Sequence, residues 1–243
     1  MGGFWTEMIS HLRGRVGSRR RFSSARYWQE RYAGGGTSGP GSYGRLAEFK
    51  AQVINSFLAD NAIDSVVEFG CGDGNQLSLY EMPRYVGIDV SPRIITECQR
   101  RFADDPKKTF HLDGPGQPEI EPARFRADLA LSIDVLFHLT EDDVFERYMR
   151  NLFAAGTKFV IIYSPNTDRN GWFQAKHVKY RKFTRYVEAT APDWTLREVI
   201  VNEYPLEKHE KMEFRAAFYI YQKDAPADAR AHPPRFEAGV HRP

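Results

Sequence analysis

Only two cysteines, Cys71 and Cys98, occur among the 243 residues. Two thiols supply neither a disulfide framework nor a zinc-ligand set. No apolar run reaches membrane-spanning length, and the N-terminus is too basic and too interrupted for a secretory signal. Cytoplasmic residence is the expectation. Two phosphate-binding signatures are missing as well. The G-x-G-x-x-G dinucleotide turn would need glycine at position 75, where Asn75 stands, and no G-K-[ST] follows a glycine loop.

What is present suits one globular domain with a substantial core, at 42% hydrophobic and 27% charged residues. The most informative stretch is Val66-Val67-Glu68-Phe69-Gly70-Cys71-Gly72-Asp73-Gly74, an apolar strand entering a glycine turn with an acid just before it. Glycines at alternate positions let the backbone take positive φ and approach a ligand that a Cβ would push away. Next comes Tyr85-Val86-Gly87-Ile88-Asp89-Val90-Ser91, a buried strand ending in an acid. An acid about 20 residues past such a turn, at the tip of the next parallel strand, can accept hydrogen bonds from both ribose hydroxyls. The competing role for Asp89 is at the start of the helix that opens after Ser91-Pro92. Thr109 to Gly114 gives a third strand and loop, where Asp113 either meets a ligand or simply forms an Asp-Gly turn. A fourth strand, Asp128 to Ile133, runs into Asp134-Val135-Leu136-Phe137-His138-Leu139.

These four landmarks, in this order, resemble the class I S-adenosylmethionine (SAM) dependent methyltransferases, whose first motif is hydrophobic-hydrophobic-(Asp/Glu)-x-G-x-G-x-G. The resemblance spans roughly residues 25 to 223. It implies that Gly70, Cys71 and Gly72 wrap the methionine end of SAM, with Glu68 an orienting acid close by. It further implies that Asp89 and Val90 take the ribose, that Asp113 binds the adenine amino group, and that Ser132 borders the cofactor site. Tyr27-Trp28-Gln29-Glu30-Arg31-Tyr32 is similar to the aromatic Y-W-x-x-R-Y helix that lies over the cofactor in many small-molecule members. The glycine-serine loop after it, residues 34 to 44, is expected to act as a lid. Tyr27, Trp28, Ser42 and Tyr43 are thus expected near cofactor or substrate, with plain aromatic packing as the competing role.

Methyl transfer from a sulfonium is mostly alignment, so acceptors differ in whether a proton must be removed. Asp134 and His138 lie four residues apart and share a face if that segment is helical. His138 is the candidate general base; its competing role is to line the pocket or cap a turn. Asp134, His138 and Asp168 form a candidate Mg²⁺ site for hydroxyl activation. His177, Arg181 and Asp168, within a second basic patch, are candidate substrate contacts. The full pattern, including H-V-x-Y-R-x-F at His177 to Phe183, resembles a bacterial subfamily associated with glycan pathways. An O-methyltransferase acting on a sugar, glycan or other small hydroxylated molecule is the leading expectation. The alternatives are a small-molecule N-methyltransferase and a SAM-binding regulatory or scaffold protein.

The expected organisation is a basic arm over 1–24, a catalytic domain over 25–223 and a disordered proline-rich tail over 224–243. Arg13, Arg15, Arg19, Arg20 and Arg21 crowd the arm, and Phe4, Trp5, Met8, Ile9 and Leu12 recur there at helical spacing. Weak contact with a membrane surface or a partner is the functional reading of the arm; a solvated segment is the alternative. No stable nucleic-acid complex is expected, since interleaved aromatics are missing from the arm. Strands at 65–69, 85–89, 109–112, 129–133 and 158–163 alternate with helices over about 44–60 and 141–154, followed by two closing strands over 194–204 and 214–222. This predicts an α/β Rossmann-like sandwich with a mostly parallel seven-stranded sheet, its last strand antiparallel. The short link from Gly74 to the second strand predicts an abbreviated first crossover that opens one side of the pocket.

Overall fold

The computed structural model describes residues 22–117, 119–172, 174–204 and 215–225. Most of the basic arm and of the tail therefore lies outside the described residues. The elements are α1 (Ser24–Ala33), α2 (Gly44–Asp60), β1 (Ser65–Phe69), β2 (Arg84–Asp89), α3 (Pro92–Arg101), β3 (Lys108–Leu112), β4 (Ala127–Ile133), α4 (Asp142–Ala155), β5 (Gly156–Ser164), α5 (Phe183–Thr190), β6 (Trp194–Val201) and β7 (Ala217–Lys223). None of the described helices is long and apolar enough to cross a membrane.

The seven strands lie in the order β3-β2-β1-β4-β5-β7-β6. The β1, β2, β3, β4 and β5 neighbours pair in parallel, while β7 runs antiparallel to both β5 and β6. The central strands are mostly apolar because both of their faces are covered. Val66, Leu129, Leu131 and Ile161 point to the α2 and α3 side, where they meet Ile54, Phe57 and Ile94. Val67, Ala130, Val160 and Ile162 point to the other side, against Met149 and Leu152 of α4 and Phe183 of α5.

Strand order reverses between β1 and β4, since the chain builds outward from β1 to β2 and β3 and then returns to β4 on the other side, so the carboxyl ends of β1, β2 and β4 frame a crevice. The first crossover is indeed short, a single turn at Leu77–Leu79. It does not open the crevice as the sequence suggested. Leu77, Tyr80 and Met82 are buried, and the Gln76 side-chain amide donates to the Ala47 carbonyl of α2 at 2.9 Å. α3 starts with Pro92 in its first turn, and the Ser91 hydroxyl accepts from the Ile94 amide. Ser91 is therefore the cap, and Asp89, whose Oδ1 accepts from the Ser91 amide, lines the crevice.

Candidate cofactor and active site

The glycine turn takes the conformations its sequence requires: φ is 80° at Gly70, 59° at Gly72 and 73° at Gly74. A Cβ on Gly70 would sit 2.5 Å from Val135, and one on Gly72 would sit 2.4 Å from the Ser38 hydroxyl. The Gly72 amide donates to Asp89 Oδ2 at 3.1 Å, and the Ser91 amide donates to Oδ1 at 3.0 Å. Burial pushes the Asp89 carboxyl up to about 6, against the opposing pull of these backbone donors. Glu68 is also buried, which raises it to about 7. Two contacts act the other way: the Tyr85 hydroxyl donates to Glu68 Oε2 at 2.6 Å, and the Lys50 ammonium lies near.

In front of these groups is a cavity of about 410 Å³. Glu68, Gly70, Cys71, Gly72, Asp89, Val90 and Asp113 line it, as do Trp28, Ser42, Asp134 and His138. Burial raises the Asp113 carboxyl above its ordinary range. Its backbone amide donates to the Asp89 carbonyl at 2.9 Å, which fixes the β3 loop beside the end of β2.

α1 and the glycine-serine strap close over the turn. The Gln29 amide donates to the Val90 carbonyl and the Ser24 amide to Glu141 Oε1, each at 2.9 Å. Asp73 and Ser38 bond reciprocally: the Ser38 amide donates to Asp73 Oδ2 at 2.8 Å, while the Asp73 amide donates to Ser38 Oγ at 2.9 Å. Tyr43 adds its hydroxyl to the same Oδ2 at 2.9 Å. Its ring is largely exposed, so Tyr43 latches the strap from outside instead of lining the cavity. Tyr27 also stands outside the lining; it stacks on His177, with ring centres 4.4 Å apart.

At the other end of the cavity, Asp134 has φ 59° and the next turn is a short 3₁₀ segment, Leu136–His138. Asp134 and His138 therefore do not share a helix face; the bend after β4 brings both to the cavity by another route. Lys50 is fully buried and bonds Asp134 Oδ2 at 2.6 Å. His138 Nδ1 is 3.0 Å from the His177 carbonyl oxygen. A carbonyl only accepts, so Nδ1 carries the proton and Nε2 is the lone-pair nitrogen. Burial pulls the imidazole down to about 4, so the ring is neutral at physiological pH. Trp28 meets it edge-on at 4.8 Å.

Several expected residues serve the scaffold. Ser132 is buried behind the cavity, its hydroxyl 2.7 Å from that of Tyr148, which also donates to the Phe69 carbonyl at 2.9 Å. Arg181 spends its guanidinium on the Leu139 and Thr140 carbonyls and on Asp142, which clamps the His138 turn. Asp168 is exposed, away from the cavity lining, and pairs with Arg185 at 3.1 Å. The candidate metal trio is not assembled: Asp134 is held by Lys50 and Asp168 by Arg185, and no group of three metal-binding side chains comes together among the described residues. Lys50 was missed in the sequence, although it falls on the buried stripe of α2 between Leu46 and Ile54. Asp73 was missed because nothing local marks a turn acid as a latch.

A family model described as a methyltransferase domain matches residues 67–159. Residues 67–159 thus carry a methyltransferase domain, and the chain has a fold that SAM- and SAH-bound methyltransferases share. No curated protein matches the sequence. Among solved structures, the methyltransferase shares its fold with the magnesium protoporphyrin IX methyltransferase ChlM of Synechocystis PCC 6803 with bound SAM, at 12% identity and TM-score 0.58, over 85% of this chain and 100% of that one. It likewise resembles the N-methyltransferase NodS of Bradyrhizobium japonicum in complex with S-adenosylhomocysteine (SAH), at 16% identity and TM-score 0.56, over 76% and 89% of the two chains. A third similar structure is the methyltransferase domain of a bacterial Hen1, at 18% identity and TM-score 0.57, over 74% and 100%.

The methyltransferase's own residues fit SAM. The positive-φ turn leaves room where side chains would intrude, and two acids at the ends of β1 and β2 suit a cofactor with a cationic end and a ribose. Glu68 and the glycine turn would hold the methionine end, Asp89 the ribose and Asp113 the adenine.

Proposed function

We propose that this methyltransferase acts on a hydroxyl group of a sugar, glycan or other small hydroxylated molecule. SAM, when bound, supplies an activated methyl group; the chain's residues supply alignment and a destination for the hydroxyl proton. The observation that carries the proposal is the His138 tautomer. With Nδ1–H committed to the His177 carbonyl, Nε2 is a neutral acceptor on the cavity wall. A hydroxyl is a poor nucleophile until its proton is accepted, and Nε2 is the group able to take it. Because burial lowers its basicity, Nε2 first orients the neutral hydroxyl and receives its proton as the oxygen, on taking the methyl group, turns cationic and strongly acidic. The Asp134 carboxylate favours the resulting imidazolium. Ser38, Ser42, Gln117 and Asn151 on the walls are further polar partners for a hydroxylated ligand.

N-methylation is the second reading, favoured by Asp134. Lys50 engages Oδ2, so Oδ1 remains to accept an N–H from an amine. The test is SAH release across panels of sugars, nucleotide sugars and amines. The proposal expects turnover with hydroxylated acceptors and a loss of about a hundredfold in kcat for His138→Ala, with SAM affinity retained. Turnover confined to amines, or an unimpaired His138→Ala enzyme, overturns it.

A further inference from the structure

The loop over residues 165–182 is built to hold one aromatic side chain away from the protein. Asn170 acts as a strand would towards Tyr180, accepting from its amide at 2.8 Å and donating to its carbonyl at 3.0 Å. The Gln174 side-chain amide ties Asn170 Oδ1 and the Val178 carbonyl, each at 2.9 Å, and Gln174 Oε1 accepts from the Gly171 amide. On this scaffold Trp172 is fully exposed. A large apolar ring held outward by its own hydrogen-bonded platform marks an interaction site.

Charge surrounds it. The loop carries Arg169, Lys176, Lys179, Arg181 and Lys182 against one acid, Asp168, which Arg185 pairs. Lys179 and Arg181 answer Asp142, while Lys176 and Lys182 are exposed. The chain reaches α1 on this same side. Phe22 lies 6.0 Å from Tyr27, and Tyr27 stacks on His177 of the loop.

We infer that this rim docks the methyltransferase on an anionic lipid bilayer, with Trp172 seated at the headgroup level and Lys176 and Lys182 facing acidic headgroups. Tryptophan beside lysine and arginine is the composition that partitions to a membrane interface. A single-stranded nucleic acid would call for a succession of stacking aromatics along a basic groove; the described loop presents Trp172 alone at its exposed turn. The cavity lies close by, since His138 on its wall bonds the His177 carbonyl, so docking brings the active site to the lipid surface.

The test is co-sedimentation of the full chain with vesicles of phosphatidylcholine alone and with equimolar phosphatidylglycerol. Sedimentation only with the anionic vesicles, reversed by high salt, is expected. Replacing both Lys176 and Lys182 by Gln should weaken partitioning roughly twenty-five-fold, at about fivefold per charge. Trp172→Ala should cost about tenfold through lost apolar burial. SAM titration of each variant should match wild type, which certifies the fold and keeps this inference separate from the cofactor assignment. Absence of sedimentation, indifference to these substitutions, or preferential binding of a single-stranded RNA competitor that displaces the vesicles overturns the proposal.

Discussion

At the scale of single residues, the cleft concentrates charge that folding alone does not favour. Glu68 sits at about 7 because it is buried, whereas an unfolded chain ionises it near 4.3. Between those values the folded protein holds a proton that the unfolded chain has released, so the cofactor-free protein loses stability as pH rises from about 4 to about 7 through this group. Glu68→Gln removes the buried charge and keeps an acceptor for Tyr85. Its melting temperature should exceed wild type by several degrees at pH 8, on the order of 3 kcal/mol, a figure that already nets the attraction to Lys50. The gain should vanish near pH 4, and SAM affinity should fall. A variant less stable than wild type at pH 8 contradicts this account. Asp89 yields a second expectation. Ribose hydroxyls donate to its ionised form, and its carboxyl is raised to about 6. In a Glu68→Gln background, where that acid no longer titrates, SAM affinity should therefore hold above that pH and fall by up to tenfold per unit below it, a slope that titrations across pH 4.5–8 would reveal. In Asp89→Asn the slope should disappear together with most of the affinity.

At the scale of elements, the strap over residues 34–44 and α1 behave as one clasp on the glycine turn, and Asp73 is where they meet. The Asp73 carboxylate takes bonds from the Ser38 amide and the Tyr43 hydroxyl, and the Asp73 amide donates to the Ser38 hydroxyl, so the two side-chain hydroxyls are what substitution can remove. Breaking the clasp frees the gate more than it removes cofactor contacts. Ser38→Ala combined with Tyr43→Phe should accelerate SAM dissociation about tenfold and association as well, leaving the equilibrium constant less changed than either rate. Stopped-flow fluorescence from Trp28 would follow both. Faster dissociation with unchanged association would show that these residues are ligand contacts and not a gate. This clasp also marks the limit of what the chain's residues announce. The strands, α2, α4, the glycine turn and Asp89 were legible because burial and backbone conformation dictate them locally. Asp73, Lys50 and the role of Arg181 were not legible, since the contacts that give each its role reach partners at least 30 residues away. The 3₁₀ turn at His138 likewise defeated helical spacing, because Asp134 takes a positive φ.

At the scale of the whole molecule, one architecture accounts for the placement of every group in the cleft. The reversal of strand order between β1 and β4 makes the crevice, and the carboxyl ends of β1, β2 and β4 carry Glu68, Asp89 and Asp134 into it. The loop after β5 then closes the acceptor end by giving its His177 carbonyl to His138. Buried Lys50 offsets two carboxylates at the centre, Asp134 by contact and Glu68 through space. Such a cluster is costly to bury and suits a site that takes up a cationic ligand. The most direct test is isothermal titration of the full chain with SAM and with SAH. Micromolar binding of both is predicted, abolished by Gly72→Asp, whose side chain would meet Ser38 and add a charge beside Asp89. Absence of binding to either, or unchanged affinity in Gly72→Asp, would contradict the assignment of this cleft to the cofactor.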